Sequence, residues 1–590
     1  MTIIWRLVLF APFFIPAHFY PVPTYPEELI AAILIVSLGV CGILSRKSRV
    51  NGNQLIIWWL GLGAIWMLSW VSNQKAVVSG AFFYQIFWVL GLIALVAGAS
   101  LKEKVGKDKL IDISARTLVF SGFLYAALGL FGYYGGLKFV IPWLTSDQSR
   151  LVGLMGHPNL SGLYLAMSLA AFGYFLYSGR HRLLEFKSVL VLLALCLAGV
   201  LTGSRAFFVI LSVQVFLSLY WMLRMQGREK REIGRLSAAI IFQCSALLLS
   251  VLLFFAFPPV DEVLSQRLTE IGVLERQSSS EMLAERFQRT EQPRLGEWRK
   301  VFQGTEVIDN IWVGVGPGSY SEFSVAADAV IEDPYRNGKT WRNAHNIFLM
   351  AFVEWGVIGV VFVFCFFVFL LFCFLGSNKN PGNYFVWLAL VAIITHNLIE
   401  FSLWHLQFLV VFLILLSTQI KTVSFSLSSP SLRWVVVIPI ILLSSWIGIA
   451  SSRDFSKMVY LFSKPDVGEE DVKTLDLVAQ NSLWRPYSRL VMYFRLNPYA
   501  TGIDNQLKEA TAIAEWSPMN LILMRQASLT AALGQDKLAC KRIHRATELY
   551  PAIIPTLEEE LVYLESQGAL SSLEEMSACF SKKSSVDVRR

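Results

Sequence analysis

The chain has 590 residues, of which 55% are apolar and only 16% are charged, and its mean hydropathy is +0.53. Soluble proteins carry about a quarter charged residues, so this composition excludes an ordinary water-soluble enzyme. The formal net charge of +8 does not indicate a nucleic-acid partner, because lysine and arginine in a membrane protein are first of all topology signals.

Repeated apolar runs of about 17 or more residues predict an all-α polytopic membrane protein. We predict about thirteen membrane-spanning helices, at 3–20, 29–45, 54–71, 80–100, 117–141, 158–177, 188–203, 206–223, 236–257, 346–375, 383–397, 404–420 and 433–450. The first run has no convincing small-residue cleavage site, so we expect a retained span rather than a removed signal peptide.

Lysine and arginine are concentrated in alternate loops, and this asymmetry predicts the orientation. The basic loops are those at 46–49, 102–116, 180–187, 224–235, 379 and 421–433. The other short loops carry only Lys75, Lys138, Arg150 and Arg205. The positive-inside rule therefore places the basic loops, and with them the N-terminus, in the cytoplasm.

The same rule places two polar segments together on the outer face. We expect membrane helices in 1–257, a large outer loop at 258–345, membrane helices in 346–450 and a polar outer tail at 451–590. Within the tail, 510–551 has the length of a tetratricopeptide-type helical hairpin. Small residues there would allow close helix contact, namely Ala531, Gly534, Ala539 and Ala546. A generic amphipathic helical domain is the alternative.

Five of the seven cysteines lie in apolar runs, where they behave as small hydrophobic residues. Cys540 and Cys579 lie in the polar tail and could pair if the tail occupies an oxidising compartment. No cysteine or histidine cluster has metal-ligand spacing, so no metal and no cofactor is expected.

Several functional classes lack their signatures in this chain. There is no Walker-type phosphate loop, no Asp-x-Asp pair for a metal-bound nucleotide sugar and no Gly-x-Ser-x-Gly elbow. Acidic residues and histidines do not recur inside the apolar runs, as a proton relay would require. These absences disfavour ATP-driven transport, nucleotide-sugar transfer and proton-coupled exchange.

Positively charged groups at the outer ends of helices are the first candidates for chemistry. Arg205 stands in a minimal turn between two apolar runs, where an arginine is costly to keep and a functional role is favoured over snorkelling to the headgroups. In the large loop, Arg286, Arg289 and Arg294 form a basic amphipathic stretch. Arg294 and Trp298 would share one helix face, although charged surface helices are common.

A glycine-rich turn and a histidine complete the candidate site. Gly314-Val-Gly316-Pro-Gly318 precedes a polar run that ends in Ala-His345-Asn346, and an apolar segment follows. An imidazole has an ordinary pKa of about 6.5, so a histidine here can exchange a proton near neutral pH; an interfacial or capping role is the alternative. Arginines and a histidine on one membrane face suggest a site for a lipid-linked phosphate or pyrophosphate.

Short motifs in a specific order resemble the O-antigen ligase/polymerase superfamily. They are Arg150-Leu-Val-Gly-Leu-Met-Gly-His157-Pro-Asn159, Gly203-Ser-Arg205, Arg294-x-x-x-Trp298 followed by Val313-Gly-Val-Gly-Pro-Gly318, and Ala344-His345-Asn346 with Glu354-Trp-Gly356. The segment His396-Asn-Leu-Ile-Glu400-Phe-Ser-Leu is similar to the His-x-x-x-Glu-Tyr/Phe-Pro-Leu segment of bacterial protein O-oligosaccharyltransferases of the pilin-glycosylating type. The resemblance covers nearly the whole chain.

This resemblance implies a GT-C-like enzyme of the bacterial inner membrane that transfers a glycan en bloc without a cofactor. The implied donor is an undecaprenyl-pyrophosphate-linked glycan, and the implied acceptor is a serine or threonine hydroxyl of a periplasmic protein such as a pilin. Arg205 and Arg294 would hold the pyrophosphate, with Arg286 and Arg289 also near the donor. His345 would orient or deprotonate the acceptor hydroxyl.

The remaining motif residues would support the site. Gly314, Gly316 and Gly318 would let the loop approach the substrate or close over it, although a merely flexible turn fits them equally well. Supporting roles are implied for five more side chains, those of His157, Asn159, Trp298, Asn346 and Glu400.

Two positions depart from the pattern of the family. His157 stands where glutamine is usual, and Ser402 stands where proline is usual; neither change removes a predicted catalytic group. An O-antigen ligase with a lipid A-core acceptor and an O-antigen polymerase are the alternative enzymes. A lipid-linked glycan transporter or flippase is the alternative outside enzymes.

Overall fold

Helices make up nearly all of the regular structure in the computed structural model, which describes residues 1–44, 49–73, 81–140, 150–225, 228–274, 293–331, 340–426, 430–465, 468–480, 483–495, 502–570 and 573–580. In chain order the helices before the tail are α1 Thr2–Phe10, α2 Tyr25–Leu44, α3 Leu55–Ser72, α4 Ala81–Val105, α5 Lys107–Tyr133, α6 Pro158–Tyr177, α7 Phe186–Leu201, α8 Arg205–Leu223, α9 Lys230–Ala256, α10 Pro258–Glu270, α11 Pro293–Gln303, α12 Tyr320–Val330, α13 Ile347–Leu375, α14 Pro381–Asn397, α15 Leu406–Gln419 and α16 Pro430–Ser463.

Every one of the predicted membrane segments contains a helix. In the described ranges, nine helices are long and apolar enough to cross a membrane, namely α2 to α6, α8, α9, α13 and α16. Three shorter apolar helices are α1 with its 3-10 extension to Phe14, α7 and α15. The chain is therefore an all-α polytopic membrane protein, as predicted.

Two predicted spans differ from the structure for identifiable reasons. The first, predicted at 3–20, is helical only to Phe14, because Pro12 and Pro16 lack the amide hydrogen that a continuing helix needs. The fifth, predicted at 117–141, begins at Lys107 and ends at Tyr133. Its charged first turns resembled a loop in the sequence, and Gly135, with a φ of 83°, ends it.

One short antiparallel ladder accompanies the helices. Strands β1 Arg49–Asn53 and β2 Thr422–Ser426 pair in register, from Arg49 opposite Ser426 to Asn53 opposite Thr422. The Asn53 side chain donates from Nδ2 to the hydroxyl of Ser417 at 2.8 Å, which ties the end of the ladder to α15.

The described chain forms two compact units, each assembled from separate stretches. The first comprises Met1–Gly61, Phe87–Thr290 and Cys365–Ile447, and the second Leu62–Ile86, Glu291–Phe364 and Gly448–Arg590. In the first unit α6 is buried along its length. Gln214 of α8 donates to the carbonyls of Ala166 in α6 (3.3 Å) and Leu388 in α14 (3.4 Å), so a polar side chain joins three apolar helices.

The tail in the second unit is a series of short helices. They are α17 Glu469–Ala479, α18 Arg485–Arg495, α19 Ile503–Trp516, α20 Asn520–Ala532, α21 Asp536–Leu549, α22 Ile554–Ser566 and α23 Leu573–Ser577. Gly534, with a φ of 68°, turns α20 into α21, and Ala531, Ala539 and Ala546 are fully buried. Val325 of α12 packs into the same hydrophobic core, so the large loop and the tail fold together. Whether the tail is of the tetratricopeptide type stays a prediction.

A disulfide joins Cys540 of α21 to Cys579 across a sequence separation of 39 residues. Reducing this bond is expected to lower the free energy of unfolding of the tail by about 4 kcal/mol, because the bridge restricts the unfolded chain over that loop. Thermal unfolding of Cys540→Ser measures the effect, with Cys365→Ser, the loss of an exposed free thiol, as the matched control. Equal unfolding temperatures for the two variants would contradict the prediction.

Candidate functional site

A buried ionic cluster orders the described part of the large loop. Lys300 of α11 lies 2.7 Å from Glu297 Oε1 and 3.0 Å from Asp328 Oδ1 of α12. Glu297 Oε2 also accepts hydrogen bonds from the hydroxyls of Tyr320 at 3.3 Å and Ser324 at 2.8 Å. Burial raises the pKa of the Glu297 carboxyl, and the nearby lysine opposes that shift. The cluster ties α11 to α12 and fixes the orientation of α11.

Trp298 connects α11 to the predicted catalytic histidine. Its indole Nε1 donates to the carbonyl of Ala344 at 2.7 Å, and His345 is the next residue. Arg294 lies one helical turn before Trp298 on the same face of α11. Trp298 thus links the helix that carries Arg294 to the loop that carries His345.

His345 has a backbone conformation that is uncommon for residues other than glycine. Among the described residues it alone, glycines aside, has a positive φ, of 50°. Such a conformation persists only where the surroundings maintain it, and it is found often at functional sites. Its amide donates to Asn343 Oδ1 at 3.1 Å, and its ring meets the edge of the Trp341 ring at a centroid distance of 5.1 Å. Asn346 then caps α13 by accepting two main-chain amides, at 2.9 and 3.2 Å.

The tail holds the loop on the N-terminal side of His345. The Thr340 hydroxyl lies 2.7 Å from the Tyr550 hydroxyl, and each donates to the Pro518 carbonyl, at 3.3 and 2.8 Å. On the same approach to the histidine, Ser321 of α12 donates to the carbonyl of Trp341 at 2.8 Å. The loop that presents the histidine is therefore fastened to both α12 and the tail.

The glycine-rich turn docks on a break in α13. Gly356, with φ 66° and ψ −163°, interrupts this helix. In a continuous helix the amides of residues 357 and 358 would donate to the carbonyls of residues 353 and 354. All four groups pair instead with residues 311–316, which lead into the turn, and we call this set of four backbone bonds the clasp. The bonds are Val315 N to Val353 O (2.8 Å), Gly316 N to Glu354 O (3.1 Å), Val357 N to Ile311 O (2.9 Å) and Ile358 N to Trp312 O (3.3 Å).

The glycines are required by the close approach of the two backbones in the clasp. Gly314, Gly316 and Gly318 have φ values of 72°, 102° and 81°, which favour glycine. A Cβ at Gly314 would lie 2.5 Å from the Val353 carbonyl oxygen, far inside van der Waals contact. The predicted glycines therefore have a structural role, whereas their movement over a substrate stays a prediction.

Polar side chains complete the clasp. The hydroxyl of Ser69 in α3 lies 2.7 Å from the Glu354 carbonyl oxygen, and Asn73 donates to the Gly314 carbonyl at 3.0 Å. The amide of Gly318 donates to Glu354 Oε1 at 2.9 Å. Glu354 is fully buried, so its carboxylate supports the turn from within α13.

In the first unit, a chain of polar side chains supports the turn that carries Arg205. Arg150 donates from Nε to the Thr202 carbonyl at 2.6 Å and from Nη2 to Asn159 Oδ1 at 3.1 Å. Asn159 donates in turn from Nδ2 to Glu400, and both residues are buried. Arg205 follows this turn as the first residue of α8. The predicted residues Asn159 and Glu400 thus act on the Arg205 turn through Arg150.

His157 stands at the start of α6, two residues before Asn159. Its Nδ1 accepts the amide of Leu160 at 3.4 Å, so this histidine is the N-cap of the helix. Its ring meets the edge of the Phe401 ring at a centroid distance of 6.1 Å. Because asparagine and aspartate cap helices in the same way, a capping role accounts for a polar side chain at this position.

His18 contacts the loop that precedes His157 and links it to groups from distant stretches of the chain. His18 Nε2 lies 2.8 Å from the Leu154 carbonyl oxygen, and its Nδ1 lies 3.5 Å from Glu27 Oε1. Glu27 Oε2 accepts a hydrogen bond from Gln407 Nε2 at 3.1 Å. The fold gathers these groups from the ends of apolar runs, so their periodicity within any one run did not indicate the cluster.

The predicted site residues therefore fall into two sets. The second unit holds Arg294, Trp298, the three glycines, His345 and Asn346, and the first unit holds His157, Asn159, Arg205 and Glu400. Arg286 and Arg289 lie outside the described residues. In the described ranges, no group of three or more His, Cys, Asp or Glu side chains could hold a metal ion.

Several supporting residues were not predicted as site residues, among them Ser69, Arg150, Trp341 and Tyr550. Arg150 offered a signal, since it opens a motif and stands in an otherwise weakly basic loop. Ser69 and Tyr550 gave none, because their partners lie more than two hundred residues away along the chain.

Two family models match the chain in succession. The first, described as O-antigen ligase, matches residues 189–364. The second, described as virulence factor membrane-bound polymerase, C-terminal, matches residues 384–557. No curated protein matches the chain. The first match contains Arg205, Arg294, the clasp and His345, and the second contains Glu400 and most of the tail.

Gly314→Ala is expected to destabilise the protein by about 2 kcal/mol or more, because it strains the positive φ and forces the clasp apart. The temperature at which half of the detergent-purified protein loses its monodisperse elution peak measures this effect. Gly448→Ala in α16 is the matched control, since a Cβ there meets nothing within 4 Å. Equal losses for the two variants would show that the clasp does not need glycine.

Proposed function

Because the chain belongs to the O-antigen ligase/polymerase superfamily of membrane proteins, we propose that it transfers a glycan en bloc from undecaprenyl pyrophosphate to serine or threonine hydroxyls of a periplasmic protein such as a pilin. Membership of the family supports membrane glycan transfer of the ligase/polymerase type in general. The protein acceptor is favoured by the segment around Glu400, which is similar to that of protein O-oligosaccharyltransferases, and by the folded tail.

The conformation and setting of His345 carry this proposal. The residue combines a positive φ, an imidazole ring in contact with Trp341 and a position at the start of the apolar helix α13. Trp298 links it to the helix face that bears Arg294. A general base and a phosphate-binding guanidinium at the end of a membrane helix suit a lipid-linked donor that stays in the bilayer while its glycan projects from it.

The proposed reaction is a displacement at the anomeric carbon of the donor. The acceptor hydroxyl oxygen forms a bond to that carbon while the bond to the pyrophosphate oxygen breaks, through an oxocarbenium-like transition state. The hydroxyl proton passes to the imidazole of His345, and undecaprenyl pyrophosphate leaves with the bonding electron pair. Pyrophosphate is already a good leaving group, so the reaction needs no nucleotide.

Arginines have the chemistry to stabilise the charge that develops on the leaving group. Guanidinium stays protonated and can hold two phosphate oxygens at once. We assign this role to Arg294 and Arg205, with Arg150 as a positioning residue for the Arg205 turn. The pair of bonds from Arg150 fixes the main chain immediately before α8.

The disulfide and the shared core of loop and tail support a periplasmic location for the site in the inner membrane. Disulfides persist in the bacterial periplasm and are rare in the cytoplasm, and the tail carries one. Since Val325 of the large loop packs inside the tail, both lie on the same side of the membrane. The N-terminus would then be cytoplasmic, in agreement with the distribution of basic loops.

O-antigen ligation is the second candidate function. It is favoured by the family model that covers the histidine and by Ser402, which replaces the proline usual in protein-acceptor enzymes. The chemistry would be unchanged, with a sugar hydroxyl of lipid A-core as the acceptor. An O-antigen polymerase would use a second lipid-linked glycan, and a flippase would move the donor without breaking a bond.

The decisive assay combines the purified protein, an undecaprenyl-pyrophosphate-linked glycan and a candidate pilin, in EDTA and without nucleotide. We expect a glycan-sized mass increase on the pilin. Transfer of the glycan to lipid A-core and not to the pilin would indicate that the protein is an O-antigen ligase. A flippase would be favoured if no glycan is transferred to the pilin, to lipid A-core or to a second lipid-linked glycan, while the donor crosses the membrane of vesicles that contain the protein.

In this assay His345→Ala is expected to lower the transfer rate by about a hundredfold or more, through the loss of the base, and Arg294→Ala by a similar factor. Arg299→Ala is the matched control, because Arg299 is an exposed arginine of the same helix whose Nε donates to the Gln303 side chain. Normal transfer by His345→Ala in well-folded protein would refute the catalytic assignment.

Arg150→Lys is expected to lower transfer by about tenfold, because an ammonium keeps the charge but cannot reproduce both fixed bonds of the guanidinium. If Arg150 positions Arg205, the loss should fall mainly on donor KM, with unfolding temperature and protein yield unchanged. Arg116→Lys, a change at an exposed arginine in the same unit, is the control. An unaltered donor KM for Arg150→Lys would remove the positioning role.

A further inference from the structure

The helix α10 has an inverted distribution of polar and apolar side chains. Its buried positions include Asp261 and Ser265, each about 1% exposed. Its exposed positions include four large apolar side chains, Val260 at 54%, Val263 at 60%, Leu264 at 40% and, just beyond the helix, Ile271 at 71%. A helix surrounded by water would place these groups the other way round.

The side chains of α10 divide into three sectors around its axis. At 100° per residue, one sector holds the buried Asp261 and Ser265, and the next holds exposed polar residues, Glu262, Gln266 and Glu270. The third sector holds the exposed apolar residues, with Arg267 among them. Such a helix has a side for protein, a side for water and a side for an apolar medium.

The neighbours of α10 place it at the level where membrane helices end. The apolar helix α9 ends at Ala256, and α10 begins at Pro258. The hydroxyls of Tyr133, the last residue of α5, and of Tyr134 both donate to the carboxylate of Asp261, at 3.1 and 2.9 Å. Tyrosine is enriched where a membrane helix meets the headgroups.

From these observations we infer that α10 is an interfacial helix, whose apolar sector lies in the lipid bilayer at the boundary between headgroups and acyl chains. The occupant of the exposed apolar face is therefore the lipid surface. Two further features support it: Phe255, near the end of α9, is 74% exposed, so the apolar surface runs on from the spanning helix, and long arginine side chains beside such a face reach the headgroups.

The buried carboxylate of Asp261 explains how the helix keeps this orientation. Two tyrosine hydroxyls hold the carboxylate against the protein, so α10 cannot rotate about its axis without breaking both bonds. The polar sector then faces water and the apolar sector faces the bilayer. The large loop thereby begins at the membrane surface, whichever acceptor the protein uses.

The test is fluorescence quenching by brominated lipids. In a chain whose five free cysteines are replaced by alanine and whose disulfide is retained, an NBD probe is attached at Leu264→Cys or Ile271→Cys. Glu262→Cys and Gln266→Cys, in the exposed polar sector, are the matched controls. The proteins are reconstituted in phosphatidylcholine nanodiscs with or without bromine near the headgroup end of the acyl chains.

We expect bromination to lower probe emission about twofold at the two apolar positions and to leave the polar positions unchanged, since interfacial helices bury only one face. Equal quenching in both sectors, or none in either, would overturn the inference. Emission that is blue-shifted but insensitive to bromine would assign the face to another protein or a second copy instead. None of these readings depends on glycan transfer, so the inference stands or fails separately from the proposed function.

Discussion

A helix within an apolar environment can be interrupted only where other groups pair with the backbone atoms that the break releases. In α13 the break at Gly356 releases two carbonyls and two amides, and residues 311–316 pair with all four in the clasp. The start of α13, and with it Asn346 and His345, is therefore located by a backbone contact rather than by side-chain packing alone. Glu354, a buried acidic residue, fits this scheme because its side-chain oxygen accepts an amide of the same turn.

The loop that carries His345 is held from three further directions. Trp298 fixes the carbonyl before the histidine, Ser321 fixes the carbonyl of Trp341, and the tail fixes Thr340. Behind these contacts lies the ion cluster of Glu297, Lys300 and Asp328. A cluster of this kind adds little net stability, but removing one member leaves a buried charge uncompensated. The ion cluster therefore serves mainly to orient α11 against α12.

Much of the fold could be predicted because a bilayer imposes length and polarity on each helix. The membrane spans followed from that constraint, and the small residues of the α20–α21 turn followed from the length of a helical-hairpin repeat. The break in α13 could not, because an apolar run that contains the two glycines Gly356 and Gly359 also fits a straight helix. Glu400 and Asn159, which links it to Arg150, lie 241 positions apart, and no local pattern reports such a pairing. Motif order indicated that these residues matter but not that they support one turn.

The clasp also bears on how this chain can vary in length. Its two partners, 311–316 and 353–358, are joined by four backbone bonds, so inserting or deleting one residue within either would shift the bonded pairs relative to one another. Between them, α12, Thr340 and Trp341 are held by other contacts, and added residues outside those contacts would cost little loop entropy. We therefore expect relatives of this chain to keep the spacing within each partner and to vary in length between α12 and Thr340. Alignments that place gaps inside either partner will mispair them.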